Sequence, residues 1–298
     1  MAAVCCVGET RRVALVTGAT GFVGGHLARR LVRDGWTVSA VVRSASASAS
    51  TNVSSHQHDG TTESLSGIVA AVRPDVVFHL ASRFVAEHTS GDVESLVRDN
   101  ILFGTQLLEA MKGGNAFALV NVGSAWQHYG DADYSPTSLY AATKQAFVDL
   151  AEYYVAAHGL RMVTVEFTDT YGRGDTRRKL IPVMLSAERS GAELEMVGDE
   201  MMLDFVHVSD AVEALVIAAE RVMAASGSFS ERFAVRSGAP VTPRALFAIW
   251  ERARGKAVAA RFGARPYRLR EMLAPWTQGE TLPGWTPAVS LDEGFRDL

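Results

Sequence analysis

Disulfide chemistry is the first thing this chain lacks. Its two cysteines, Cys5 and Cys6, are adjacent in 298 residues. That excludes a disulfide framework and a spaced thiolate metal site, and it points to a reducing compartment, with the cytoplasm as the expected location. Long apolar runs are missing too: no stretch approaches the ~20 residues that span a bilayer. The apolar start is short, has no basic opening and runs into Arg11-Arg12, so residues 1–12 read as a disordered leader rather than a signal peptide. There is no excess of positive charge. A balance of 29 Lys+Arg against 33 Asp+Glu gives a net charge of -4, which argues against nucleic acid or an anionic membrane as the main partner. The G-x-S-x-G frame of a hydrolase is absent. His79, and His207 with Asp204 and Asp210, read as structural hydrogen-bonding groups, so no metal is expected.

What is present is a strict alternation. Short, continuously apolar runs at Val13–Thr17, Thr37–Val42, Asp75–Ala81, Phe117–Val122 and Met162–Phe167 read as buried strands. Helical periodicity separates them at Gly25–Asp34, Leu65–Val72, Asp92–Met111 and from about Tyr140 to His158. The Ser/Ala tract Ser44–Ser55 reads as a flexible loop. This pattern predicts an α/β fold: a Rossmann-like, doubly wound parallel sheet with helices on both faces. After Tyr171 the rhythm changes. Phe205–Val208 and Phe233–Arg236 are strand-like, Asp210–Met223 and Pro243–Arg254 helical, and 266–287 is rich in Pro, Gly and Trp. The expected organisation is a dinucleotide-binding domain at 13–171 plus about 203–225, with a smaller substrate lobe at 172–202 and 226–298.

Gly18, Gly21 and Gly24 follow the first strand and open the first helix. Glycines there let backbone approach a pyrophosphate, and the helix N-terminus supplies oriented N–H groups. The spacing is G-x-x-G-x-x-G, so the expected cofactor contacts are Gly18, Thr20, Gly21, Phe22, Val23 and Gly24. At the end of the second strand an NAD site commonly carries a carboxylate for the adenosine ribose. Val42 stands there and Arg43 follows, a guanidinium suited to a 2′-phosphate. NADPH is therefore the expected cofactor, with NADH as the alternative. Asp59 stands where it either contacts the adenine or shapes a loop.

The chemistry-bearing stretch is Gly123–Lys144. Tyr140 and Lys144 lie one helical turn apart. A phenol titrates near pH 10 in water, and a fixed cation close by favours the phenolate, so Lys144 is expected to pull Tyr140 into a range useful for proton transfer. Ser124 precedes them, followed by the apolar-aromatic segment Ala125–Tyr129.

Taken in order, Thr17-Gly-x-x-Gly-Phe-x-Gly24, His79-Leu-Ala-Ser82, Asn100, Ser124, Tyr140-x-x-x-Lys144 and Asp204-Phe-Val-His-Val208 resemble the extended short-chain dehydrogenase/reductases, the NAD-dependent epimerase/dehydratase family. The segments Trp126–Tyr129, Leu139–Ala146 and Asp169–Gly172 are similar to members that reduce nucleotide-linked 4-keto-6-deoxysugars. The resemblance implies Tyr140 as general acid/base, and Lys144 as the residue that lowers its pKa and holds the nicotinamide ribose. It implies Ser124 as the hydrogen-bond donor to a substrate carbonyl. Leu80, Ala81 and Ser82 would line the cofactor cleft, Asn100 would support the active-site helix, and Thr168 would lie near the nicotinamide. Relatives are commonly homodimers.

The departures narrow the reaction. Relatives that eliminate water place an Asp-Glu pair directly after the catalytic Ser or Thr; here Ala125-Trp126 stand there. A diphosphate-clamping Arg is replaced by Leu203 before Asp204, and another by Glu166. Arg173, Arg177, Arg178, Lys179, Arg265, Arg268 or Arg270 would have to compensate. The expected activity is an NADPH-dependent ketoreductase of a secondary-metabolite pathway, acting on a small-molecule ketone. A nucleotide-linked 4-keto-6-deoxysugar is slightly favoured over an aromatic polyketide ketone, for which Trp250, Trp276, Trp285, Phe262 and Tyr267 would line an apolar pocket or else form a lobe core. An epimerase holding tight NAD and a non-catalytic NADP sensor rank lower.

Overall fold

The computed structural model describes residues 11–44 and 51–298; residues 1–10 of the expected leader and 45–50 of the Ser/Ala tract lie outside them. The elements run β1 (Val13–Thr17), α1 (Phe22–Arg33), β2 (Thr37–Val42), β3 (Val53–Gln57), α2 (Thr62–Val72), β4 (Val76–His79), α3 (Val93–Val97), α4 (Phe103–Gly113), β5 (Ala118–Ser124), α5 (Leu139–His158), β6 (Arg161–Phe167), β7 (Asp169–Tyr171), α6 (Leu180–Ser190), β8 (Leu194–Met196), β9 (Phe205–His207), α7 (Val208–Ala224), β10 (Phe229–Val235), α8 (Pro243–Arg254), β11 (Ala260–Phe262) and α9 (Leu291–Arg296). Seven strands form one sheet in the order β10-β6-β5-β4-β1-β2-β3, and every pairing in it is parallel.

The sheet is Rossmann-like, as the alternation predicts. Its two faces bury separate cores, one packing Leu27, Leu31 and Leu215 and the other Leu65, Leu107 and Phe147. Both faces of each central strand are therefore apolar, which is why those strands read as continuous runs. A third core, with Tyr171, Met184, Phe205, Trp250 and Phe295 at its centre, lies under α6, α8 and α9.

Three differences from the sequence reading bear on the sheet and the cleft. Val53–Gln57 is not loop but the edge strand β3, paired to β2. Its polar sequence Val-Ser-Ser-His-Gln suits an edge with exposed faces, and no apolar alternation announces it. The strand expected at Phe233–Arg236 begins earlier, at Phe229, and pairs with β6 as the seventh strand. The helix expected over Asp92–Met111 is interrupted by a π turn at Arg98–Leu102, and Asn100, 3% exposed, sits inside it. Turns of this kind recur where a helix must aim one side chain at a functional site.

Candidate active site

Because the strands are parallel, their C-terminal ends share one edge, and the order reverses between β1 and β4. Ligands bind in the crevice beyond such a reversal. Here the crevice is a cleft of about 730 Å³ that runs from Gly18, Gly21 and Gly24 past Leu80 and Ser82 to Ser124, Tyr140, Lys144, Thr168 and Asp169. Tertiary structure thus gathers the glycine turn and the Ser/Tyr/Lys set into one continuous site.

The glycine turn fits a dinucleotide. Gly18 has φ +74°, and a Cβ there would meet the Ala81 amide at 2.7 Å, while a Cβ on Gly24 would sit 2.2 Å from the Gly18 carbonyl. Gly21 caps α1 without a side-chain bond, and the first turn holds no acidic residue. The N-terminal N–H groups of α1 therefore have no protein carboxylate to serve, and they suit a phosphate. Phe22 and Val23 line the cleft beside them. Thr20 is exposed and stands outside the cleft wall, as does Arg43 at the end of β2. The Asp59 carboxylate accepts from the Thr61 amide (2.9 Å) and hydroxyl (2.7 Å), and Thr61 in turn caps α2. In this structure Asp59 shapes the loop.

Ser138 caps α5 by accepting from the Ala141 amide, which starts the helix just before Tyr140 and sets that phenol in its first turn. Lys144 follows one turn later, 3% exposed. Ser124 ends β5, with its amide donating to Gln127 Oε1 (2.9 Å) and its hydroxyl accepting from the Trp126 amide (3.2 Å). Burial pushes Tyr140 up to about 12, against the pull of hydrogen bonds with Ser124 and Ser82, and the Asp169 charge adds to the rise. Burial alone draws Lys144 down to about 8. Desolvation disfavours the charged form of both groups in the ligand-free cleft. At neutral pH the site therefore presents an un-ionised phenol and a lysine close to its own titration.

Asn100 touches the chain rather than the cleft. Its Oδ1 accepts from the Ser82 hydroxyl (3.1 Å) and the Arg83 amide (2.7 Å), and its Nδ2 donates to the Arg83 carbonyl (3.0 Å) and to Thr143 Oγ1 (2.9 Å). It thereby ties the loop after β4 to α5. His79 lies 1% exposed between Phe103 and Phe147, with Nδ1 2.9 Å from Thr17 Oγ1, and burial lowers it to about 3. That same Thr17 oxygen accepts from the Ala81 amide. His207 caps α7, Asp204 accepts from the Ser237 amide, and Asp210 accepts from the Val289 amide.

The wall facing Tyr140 was missed by sequence reasoning. Phe84 stands edge-on to Tyr140 (5.0 Å, 77°) and to Trp126 (5.2 Å, 64°). Lys179 pairs with Asp169 at 2.6 Å and lies 4.3 Å over the Phe84 ring. Arg268 lies 4.6 Å over Trp126. An exposed phenylalanine shortly after Ser82 was the available signal for this wall. Of the two readings for the tryptophans, pocket lining or core, burial favours core: Trp250, Trp276 and Trp285 are 0%, 3% and 3% exposed and lie outside the cleft. Glu166 does not face ligand either. It is fully buried beneath the Ser124 turn, paired with His128. Leu203 is core and exchanges backbone bonds with Val241.

The model of the NAD dependent epimerase/dehydratase family matches residues 14–229. The chain is 28% identical to a dTDP-glucose 4,6-dehydratase of Neisseria meningitidis serogroup B, over 68% of this chain and 66% of that protein. It is 23% identical to a CDP-abequose synthase of Salmonella muenchen, over 97% of this chain and 98% of that protein. Among solved structures, MoeE5 in complex with UDP-glucuronic acid and NAD superposes with a TM-score of 0.82 at 26% identity, covering 96% of this chain and 97% of that one.

Proposed function

We propose that this chain, which belongs to the NAD-dependent epimerase/dehydratase family, is an NADPH-dependent ketoreductase acting on a nucleotide-linked 4-keto-6-deoxysugar. The observation that carries the reading is the single cleft that brings Ser124, Tyr140 and Lys144 to the glycine turn, with Ala125-Trp126 where a dehydratase needs carboxylates. An un-ionised phenol supplies the proton that reduction of a ketone requires.

A reduced nicotinamide, held by the glycine turn and the N-terminus of α1, would supply the hydride. The chain's own groups do the rest. Ser124 and Tyr140 donate hydrogen bonds to the carbonyl oxygen as charge grows on it, and Tyr140 passes its proton to that oxygen. The Lys144 ammonium then stabilises the phenolate left behind. The aromatic wall of Phe84 and Trp126 excludes water and offers a flat face to a sugar ring.

Arg43 supports NADPH over NADH. Arg43→Asp removes a charge-assisted partner of the 2′-phosphate and installs a repelling carboxylate, so the NADPH/NADH ratio of kcat/KM is expected to fall by about 10- to 100-fold. An unchanged ratio would count against Arg43.

One observation favours a second reading, a ketone without a nucleotide. Most cations near the wall are already spoken for: Lys179 by Asp169, Arg177 by Asp175, and Arg268 by Glu271. Arg270 donates to Pro136 O and Ser135 Oγ. Arg178, exposed at the cleft, keeps a free guanidinium among the described residues. The test is NADPH oxidation with CDP- and dTDP-linked 4-keto-6-deoxyglucose beside polycyclic aromatic ketones. Turnover of the keto-sugars is expected. Turnover of the aromatic ketones alone would move the assignment to the second reading, and no oxidation with either would overturn the reductase.

A further inference from the structure

We infer that His128 and Glu166 are positioning residues that fix the catalytic Ser124 hydroxyl against Tyr140; the inference rests on the reductase reading of that site. Neither residue touches the cleft. Glu166 lies on β6 directly opposite Gly123 of β5. A Cβ at Gly123 would come within 2.6 Å of Glu166 Cγ, so the glycine beside Ser124 makes the space that the glutamate side chain crosses. A fully buried carboxylate is costly unless it is paired. Its Oε2 meets His128 Nε2 at 3.1 Å, with Arg232 Nε at 3.8 Å, while Oε1 has no partner. An inward-facing glutamate retained at that cost has a job that apolar packing would not do.

The job is legible from what His128 holds. Its Nδ1 meets the Ala132 carbonyl at 3.1 Å. A carbonyl only accepts, so Nδ1 is the donor of that bond. The ring thus bolts both ends of the turn after Ser124 to the sheet. On its outer face it stacks on Trp276 at 3.6 Å and 8°. Trp276 belongs to the segment 266–287, a strap whose next residues, Thr277 and Gln278, are gripped by Asp131 through both amides and both side chains. The neighbouring Gln127 completes the lock: its Oε1 accepts the Ser124 amide, and its Nε2 donates to Gln145 on α5 (3.0 Å), the residue after Lys144. Ser124 is held from the sheet, the strap and the catalytic helix, and the His128–Glu166 pair is the joint where sheet and strap meet.

The experiment is a double-mutant cycle on full-length protein, with CDP-4-keto-6-deoxyglucose as substrate and the dTDP-linked form as second probe. His128→Phe keeps the stack on Trp276 and removes both hydrogen bonds. It is expected to lower kcat about 10- to 30-fold while the KM for NADPH stays within about twofold. In a Ser124→Ala background the same substitution is expected to cost less than about threefold, because the hydroxyl it positions is gone. Glu166→Gln, which can still bond His128, should retain most of the wild-type rate. An equal loss in both backgrounds would mean generic destabilisation and would overturn the inference while leaving the reductase intact. If wild-type protein reduces neither probe, the functional reading fails, and amide hydrogen exchange still decides the positioning. His128→Phe, or Trp276→Leu if the first variant does not fold, is expected to speed exchange across 124–137 and leave 18–33 unchanged. Unaltered exchange in 124–137 would overturn it.

Discussion

Tyr140→Phe is expected to lower kcat for the keto-sugar by about 10²- to 10⁴-fold, the range of a lost general acid. NADPH affinity should stay within about twofold, because the glycine turn that holds the cofactor is untouched. The substitution removes one oxygen and keeps the ring, so the fold has little reason to change. Single-turnover hydride transfer followed by NADPH absorbance, together with cofactor titration by fluorescence, separates the two effects. Turnover near the wild-type rate would show that the proton reaches the product by another route and would remove Tyr140 from the mechanism.

Lys144→Met should move activity and stability in opposite directions. Folding draws the ammonium from its ordinary value of 10.5 down to about 8, so at neutral pH the folded protein carries a charge that its surroundings resist. The sign follows from linkage. The unfolded chain binds the proton more tightly, so the penalty is fully present below pH 8. It is relieved as pH rises from about 8 to 10.5. A shift of this size corresponds to about 3 kcal/mol, an upper bound for a group that can reach cleft water. Lys144→Met is thus expected to raise the Tm of the ligand-free protein at pH 7 by several degrees, with the gain vanishing near pH 10.5. The same change is expected to cut kcat/KM about 100-fold or more, since no cation remains beside the phenolate that forms. A variant that is both less stable and fully active would contradict the account of why a lysine is buried there.

The site was legible where chemistry and local spacing coincide. Gly18, Gly21 and Gly24 follow a strand and open a helix, and only a close backbone approach explains three such glycines. Tyr140 and Lys144 declare their shared face by their spacing. Legibility failed where the deciding contact is between residues distant in sequence. Asp169 and Lys179 come together across the turn after β7, and Phe84 meets Trp126 from a different strand end. Glu166 is the sharpest case. Read along the chain it is a missing arginine, and it weighs against a diphosphate substrate. In the structure it is buried under Gly123, so its charge says nothing about the substrate and much about the serine.

The sequence by itself determined the doubly wound sheet, the glycine turn and the candidate proton-transfer groups. Alternating apolar runs, glycine placement and one-turn spacing act locally and leave their mark in order along the chain. Only the tertiary structure decided how those groups are tuned and held. Burial sets the ionisation of Tyr140 and Lys144, and burial is a sum over neighbours from every layer of the fold. The joint of His128, Glu166 and Trp276 draws its parts from a turn, a strand and a strap far apart in sequence, so no window of the chain contains it.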